Sequence, residues 1–169
     1  MLIYCTVCWQ ANPANSKKCS RCGADLEKSA ISYRAKLVKA LSHPEPETVQ
    51  RAAWILGELK AAEAVEPLLA LINRSEEPGA LEGAVEALGK IGDRRAVPAL
   101  SRLIRSSYLS VRLKAVDALQ QIGGRAALAA LRTAMGDPKS SVSQRAANAL
   151  KSVGKGQAAA GNSPGQVAL

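Results

Sequence analysis

The chain has 169 residues, enough for one or two domains, and 47% of them are apolar; yet only 3% are aromatic and there is no Phe. That apolar mass of Ala, Leu, Val and Ile suits closely packed helices better than a sheet, no run approaches the roughly 18 apolar residues of a membrane span, and the start Met1-Leu2-Ile3-Tyr4-Cys5 has no basic region ahead of a long apolar stretch, so no membrane contact and no signal peptide are expected and the expected address is cytoplasmic. The net charge of +9 is uneven: residues 1–28 carry +2, residues 29–92 carry −2 and residues 93–169 carry +9, which confines the basic character to one end.

The first element spans residues 1–27 and contains the four cysteines of the chain, as Cys5-Thr6-Val7-Cys8 and Cys19-Ser20-Arg21-Cys22. In a reducing compartment such spacing points to metal rather than disulfides. Each pair forms a tight knuckle, and the intervening stretch with Asn12-Pro13-Ala14-Asn15 is long enough for a hairpin that joins them. Four thiolates close a tetrahedral shell and leave no place for water, so the expected site is structural. Zinc is the expected ion and iron, with the same ligands, the alternative. A redox role lacks the βαβ context it needs. Gly23 after Cys22 relieves a crowded turn, and Trp9 stands in the matching place after Cys8, positioned to cover the site. The pattern, ending at Leu26, resembles the small zinc-ribbon domains found at the ends of prokaryotic proteins, and all four ligand positions match.

Residues 28–154 repeat. Leu56, Leu88, Leu119 and Leu150 are spaced by 32, 31 and 31 residues. Four positions before them lie Ala52, Ala84, Ala115 and Ala146; three before lie Ala53, Val85, Val116 and Ala147; three after lie Leu59, Ile91, Ile122 and Val153. These offsets fall on one helical face. Lys60, Gly92, Gly123 and Gly154 then mark the helix ends. A second helix follows in each unit, carried by Val65, Val97 and Leu128, by Leu68, Leu100 and Leu131, and by Ile72, Ile104 and Met135. Leu37 and Leu41 match only this second helix, so the array reads as a half unit, three helix pairs from Thr48 through Met135, and a closing helix near 138–153. The tail, 155–169, has Gly, Pro and Gln without periodicity and is expected to be disordered.

The segments AAWILGEL, AVEALGKIGDRRAVPALSRLI and QRAANALKSVG resemble HEAT repeats, most closely the short prokaryotic type named after phycobilisome lyases. The resemblance implies an all-α, right-handed α-solenoid of helix pairs, an armadillo-type superhelix, with the second helices on its concave side. It leaves function open, because the family includes lyases, repair enzymes and plain adaptors.

Motifs for catalysis are missing. His43 is the single histidine and sits in a turn, no phosphate loop is present, and the cysteines are committed to the knuckles. Trp54, beside Leu56 and Ala52, is read as core. No catalytic residue is therefore assigned, and the chain is expected not to be an enzyme. Arg94, Arg95, Arg102, Arg105, Arg125 and Arg132 form the candidate basic partner-binding surface, with Arg102 and Arg132 on second helices. Arg51, Lys114 and Arg145 share one repeat column and are expected to stack into a basic stripe on the first-helix side. Such a field attracts acidic proteins or phosphate backbones. The expected function is a non-catalytic adaptor that binds a macromolecule, protein first and nucleic acid as the alternative, with a lyase-like or repair enzyme as the distant third. The sequence leaves the oligomeric state undetermined.

Overall fold

The computed structural model describes residues 2–5, 7–26 and 33–160. At the N-terminus, β1 (Leu2–Tyr4) pairs antiparallel with β2 (Ala11–Pro13), Leu2 opposite Pro13 and Tyr4 opposite Ala11. The first knuckle is the turn of this hairpin. The second is closed by an isolated antiparallel bridge between Lys18 and Asp25. Among the described residues, Cys5, Cys19 and Leu26 form the buried apolar centre of this piece, with Ile3, Cys8 and Ala24 around them. A core so small does not hold a fold without a staple.

Eight α-helices follow among the described residues: α1 (Tyr33–Ala40), α2 (Pro46–Glu58), α3 (Val65–Arg74), α4 (Pro78–Ile91), α5 (Val97–Leu103), α6 (Leu109–Ile122), α7 (Gly124–Ala134) and α8 (Ser140–Ala160). The even-numbered helices are the first helices of the repeats and the odd-numbered ones the second. Proline opens α2 and α4, where a missing N–H costs nothing, and short 3-10 turns, Ala62–Ala64 and Arg94–Ala96, lead into α3 and α5. The result is an α-solenoid. No described helix is long and apolar enough to cross a membrane.

The core runs along the stack where the repeat columns place it. Ala52, Ala53 and Leu56, Ala84, Val85 and Leu88, and Ala115, Val116 and Leu119 are all fully buried. In α8 the same column loosens: Ala146 is buried but Ala147 and Leu150 are only partly so, since no further repeat covers them among the described residues. The first helices pack directly on one another, α2 on α4, α4 on α6 and α6 on α8. Gly57 and Gly89 sit at these crossings. A Cβ on Gly57 would lie 2.7 Å from the Cα of Ala87, and one on Gly89 would lie 2.9 Å from the Cα of Ala118. The second helices instead rest mainly on neighbouring first helices. A stack curves toward its closely spaced layer, so the concave side belongs to the first helices, opposite to what the resemblance implied.

Three further expectations change. Met135 is 49% exposed while Ile72 and Ile104 in the same column are buried. The closing helix reaches Ala160, so 155–160 of the stretch expected to be disordered are helical, in keeping with its three successive alanines; residues 161–169 lie outside the described residues. Trp54 is 47% exposed. It stands two positions before Leu56, about 200° round the helix from the buried stripe.

The ribbon is docked on the solenoid. Tyr4 and Trp9 pack, partly buried, against the solenoid core, as does Tyr33 at the start of α1. Burial raises the pKa of the Tyr33 phenol, and a hydrogen bond with the Tyr4 backbone opposes that rise in part.

Candidate functional site

The two knuckles superpose in their hydrogen bonding. Trp9 N–H donates to the Cys5 carbonyl at 2.8 Å and Gly23 N–H to the Cys19 carbonyl at 3.0 Å. Cys5 N–H reaches Gln10 O at 2.9 Å and Cys19 N–H reaches Ala24 O at 2.8 Å. The N–H groups of Val7 and Arg21 donate to the sulfurs of Cys5 and Cys19, each at 3.4 Å. Both knuckles close through a left-handed residue, Gly23 at φ 73° and Trp9 at φ 60°. A tryptophan there is strained. Its side chain packs on the solenoid rather than covering the thiols, which identifies what offsets the strain.

The four sulfur atoms lie within 4.8 Å of one another, with Cys5 to Cys22 at 3.4 Å and Cys8 to Cys19 at 3.6 Å. Metal–sulfur bonds of about 2.3 Å in a tetrahedron separate the sulfurs by about 3.8 Å, so the donor set fits one tetrahedral ion. Burial would raise the Cys19 thiol, but backbone N–H groups of Cys22 and Arg21 and the neighbouring thiols outweigh it and hold the pKa at about 6. The backbone at Ala24 favours the Cys22 thiolate, yet the neighbouring sulfurs and burial push it up to about 12. Four thiols this close do not all ionise unless a cation joins them.

Sequence reading missed Asn12, placed in the hairpin stretch. It is the buried polar residue of the described core, at 1% exposure. Its Nδ2 donates to Gln10 O at 2.7 Å and lies 3.7 Å from the Cys19 sulfur, while its Oδ1 accepts from Ser20 N–H at 2.9 Å and Ser20 Oγ at 3.0 Å. Asn12 thus braces one knuckle to the other. The signal available was a polar residue between two cysteine pairs, too common to single out.

The basic residues do not form one free field. Arg95 pairs with Asp93 at 2.7 Å and Glu66 at 2.9 Å. Arg102 donates to Asn73 Oδ1 at 2.8 Å. Arg94 lies against Gly124, and Arg105, Arg125 and Arg132 are exposed. All six candidate arginines belong to second helices or their flanking turns. Two residues of the expected first-helix stripe, Lys114 and Arg145, form a ladder of ion pairs instead, while Arg51 has none among the described residues. Lys114 binds Glu86 of the preceding first helix, and Arg145 binds Asp117 at 2.7 Å in the same relation. Arg112 turns inward to Asp137 at 3.2 Å, its Nε without a well-aligned hydrogen bond, and donates from Nη1 to Ser106 O at 3.1 Å.

Trp54 occupies the first-helix face. Lys90 lies over its ring, 5.7 Å from the centroid, and holds Glu58 and Glu86 each at 2.7 Å. Beside Trp54 a recess of about 520 Å³ opens across α2, α4 and α6, lined by Glu47, Arg51, Glu82, Glu86 and Lys114 among others.

A solenoid of short helix pairs sharing one Ala/Leu core defines a repeat scaffold, and the chain belongs to the HEAT-repeat family: the family's model for HEAT repeats matches residues 34–112 and 101–161. Over 57 residues it is 44% identical to the bilin biosynthesis protein PecE of Mastigocladus laminosus, a match covering 34% of this chain and 21% of PecE. The chain thus spans about a fifth of the length of that curated relative. Among solved structures, the complex of CpcE and CpcF of phycocyanin lyase from Nostoc sp. PCC7120 is similar with a TM-score of 0.59 at 23% identity, over 84% of this chain and 60% of that one. A designed armadillo repeat protein in complex with the peptide (KR)4 matches with a TM-score of 0.59 at 23% identity, over 75% of this chain and 65% of that one.

The expectation that the chain is not an enzyme is overturned by its kinship to PecE, a bilin biosynthesis protein. The expectation rested on missing nucleophile and acid–base motifs. Those motifs test only chemistry done by the chain's own side chains, not work done as part of an assembly.

Proposed function

We propose that the chain is a repeat scaffold that binds a protein partner on its concave first-helix face. The observation that carries this reading is Trp54, 47% exposed beside the recess, since a large aromatic left in the open on a curved face is a typical anchor for a partner. The scattered, partly paired arginines favour a protein over a phosphate backbone. The test is capture from the native host with wild type and Trp54→Ala, with and without nuclease. A protein retained by wild type despite nuclease, and lost by the variant, is the expected result. A catch that disappears with nuclease contradicts it.

A second reading, a subunit of a lyase-type assembly that handles a bilin, rests on the identity with PecE. It predicts that a bilin mixed with the chain and its captured partner shows a shifted absorption band. An unshifted band counts against it.

Cys5, Cys8, Cys19 and Cys22 are proposed to hold one structural Zn²⁺, on the strength of the sulfur spacing. Elemental analysis of reduced protein is expected to give one zinc per chain. One iron would replace zinc in the same shell, and neither metal would refute the centre.

A further inference from the structure

The first-helix ladder has a regular grammar and one break. A cation five positions before the repeat leucine meets an acid two positions before the leucine of the preceding repeat. Lys114 meets Glu86 and Arg145 meets Asp117 in this way. At the α2–α4 step the two positions hold Gly83 and Trp54. The cation is deleted and the acid is replaced by an indole. Gly83 is packed against Gln50, 3.2 Å from its Cα to a Cβ built there, so the α4 backbone closes up and no side chain at position 83 meets the ring.

The charges around the break are unequal. Lys114 is neutralised by Glu86, and burial and hydrogen bonding commit Lys90 to Glu58 and Glu86. Glu47 and Glu82 have no ion-pair partner among the described residues, nor does Arg51. The recess therefore offers two unpaired carboxylates against one guanidinium, next to an aromatic face. Lys90 lies over the ring but does not line the recess.

We propose that this recess receives a cationic side chain, arginine in particular, from a separate protein partner. A guanidinium stacks on an indole while its planar fork reaches carboxylates, whereas an acidic side chain would meet Glu47 and Glu82. The inference rests on the reading that this face binds protein, and adds the chemistry of what it binds.

The probe is an acetylated tetra-arginine peptide, titrated by calorimetry into the full chain, with tetra-glutamate as the control. On a chain of net charge +9, general attraction opposes a cationic peptide, so its binding reports a local acidic site. Tetra-arginine is expected to bind and tetra-glutamate not. Trp54→Ala, and separately the double variant Glu47→Gln with Glu82→Gln, are each expected to weaken tetra-arginine by about tenfold. Unchanged thermal melts keep these losses from being unfolding, and the carboxamide variants, on the surface, provide the second line. Equal binding of tetra-arginine to the double variant, or tighter binding of tetra-glutamate, overturns the proposal. If no peptide binds while native-host capture remains sensitive to Trp54→Ala, the cationic occupant is refuted and the protein-binding reading stands. A concentration-dependent dimer that disappears with Glu47→Gln and Glu82→Gln overturns it in favour of a second copy of this chain.

Discussion

Lys60 holds φ 46° at the end of α2, where the matching position after α4 is Gly92 at φ 78°. The chain turns there through Ala61 N–H to Leu56 O and Lys60 N–H to Gly57 O, both at 3.0 Å. The repeat column aligned Lys60 with three glycines, so its sequence already marked a left-handed cap filled by the wrong residue. Lys60→Gly is expected to stabilise by about 0.5–1 kcal/mol, read as a raised urea midpoint. The Arg112–Asp137 pair acts in the other direction. Its side chains are 15% and 6% exposed. Asp137→Ala should cost about 3 kcal/mol by leaving a buried guanidinium without its partner, again by urea unfolding. Nothing local in the sequence distinguishes Arg112, which turns inward, from an arginine left in solvent. Glu86 adds a pH dependence. Hydrogen bonds from Lys114 and Lys90 lower its pKa below the ordinary value. A lowered carboxylate stabilises the fold above the unfolded pKa and loses that contribution as pH falls through the folded one. Glu86→Gln should therefore cost ~1 kcal/mol or less at neutral pH, and the gap from wild type should close in acid.

At the scale of elements, the helix pairs were legible because a column of Ala and Leu repeats at one period and each helix buries that stripe. What the period does not encode is which layer lies inside the curve. That is decided by Gly57 and Gly89, which stand one position after the repeat leucine and let α2, α4 and α6 touch. Gly57→Ala places a Cβ 2.7 Å from the Ala87 backbone, so despite the better helix propensity of alanine it should destabilise by about 1–3 kcal/mol and shift the α2–α4 crossing. The ribbon tells the same story. Its cysteine spacing marked the four sulfurs that the fold brings together, while the docking involves Trp9, whose left-handed backbone stands where the second knuckle has Gly23. Trp9→Gly should relax the knuckle and keep the metal, yet release the ribbon, seen as lost near-ultraviolet dichroism with zinc content unchanged. Chelating the metal should disorder the ribbon while the helical dichroism persists, because the helices share a core of their own.

At the scale of the molecule, a small four-cysteine hairpin packs against a short HEAT-repeat stack at its N-terminal end. The two long faces of the stack differ in kind. The second-helix face carries the scattered arginines; the first-helix face carries the ion-pair ladder, its break at Trp54 and the recess. Charge counting along the sequence put basic residues on both faces because it cannot see pairing: Arg95, Lys114 and Arg145 are all answered by acids from other helices. The proposed protein-binding surface is the second. Its most direct test is hydrogen–deuterium exchange of the chain alone and with the protein it captures from its native host. Protection concentrated in Pro46–Glu58 and Pro78–Ile91 is expected; protection confined to Val97–Leu103 and Gly124–Ala134 would place the partner on the second-helix face and refute binding at Trp54.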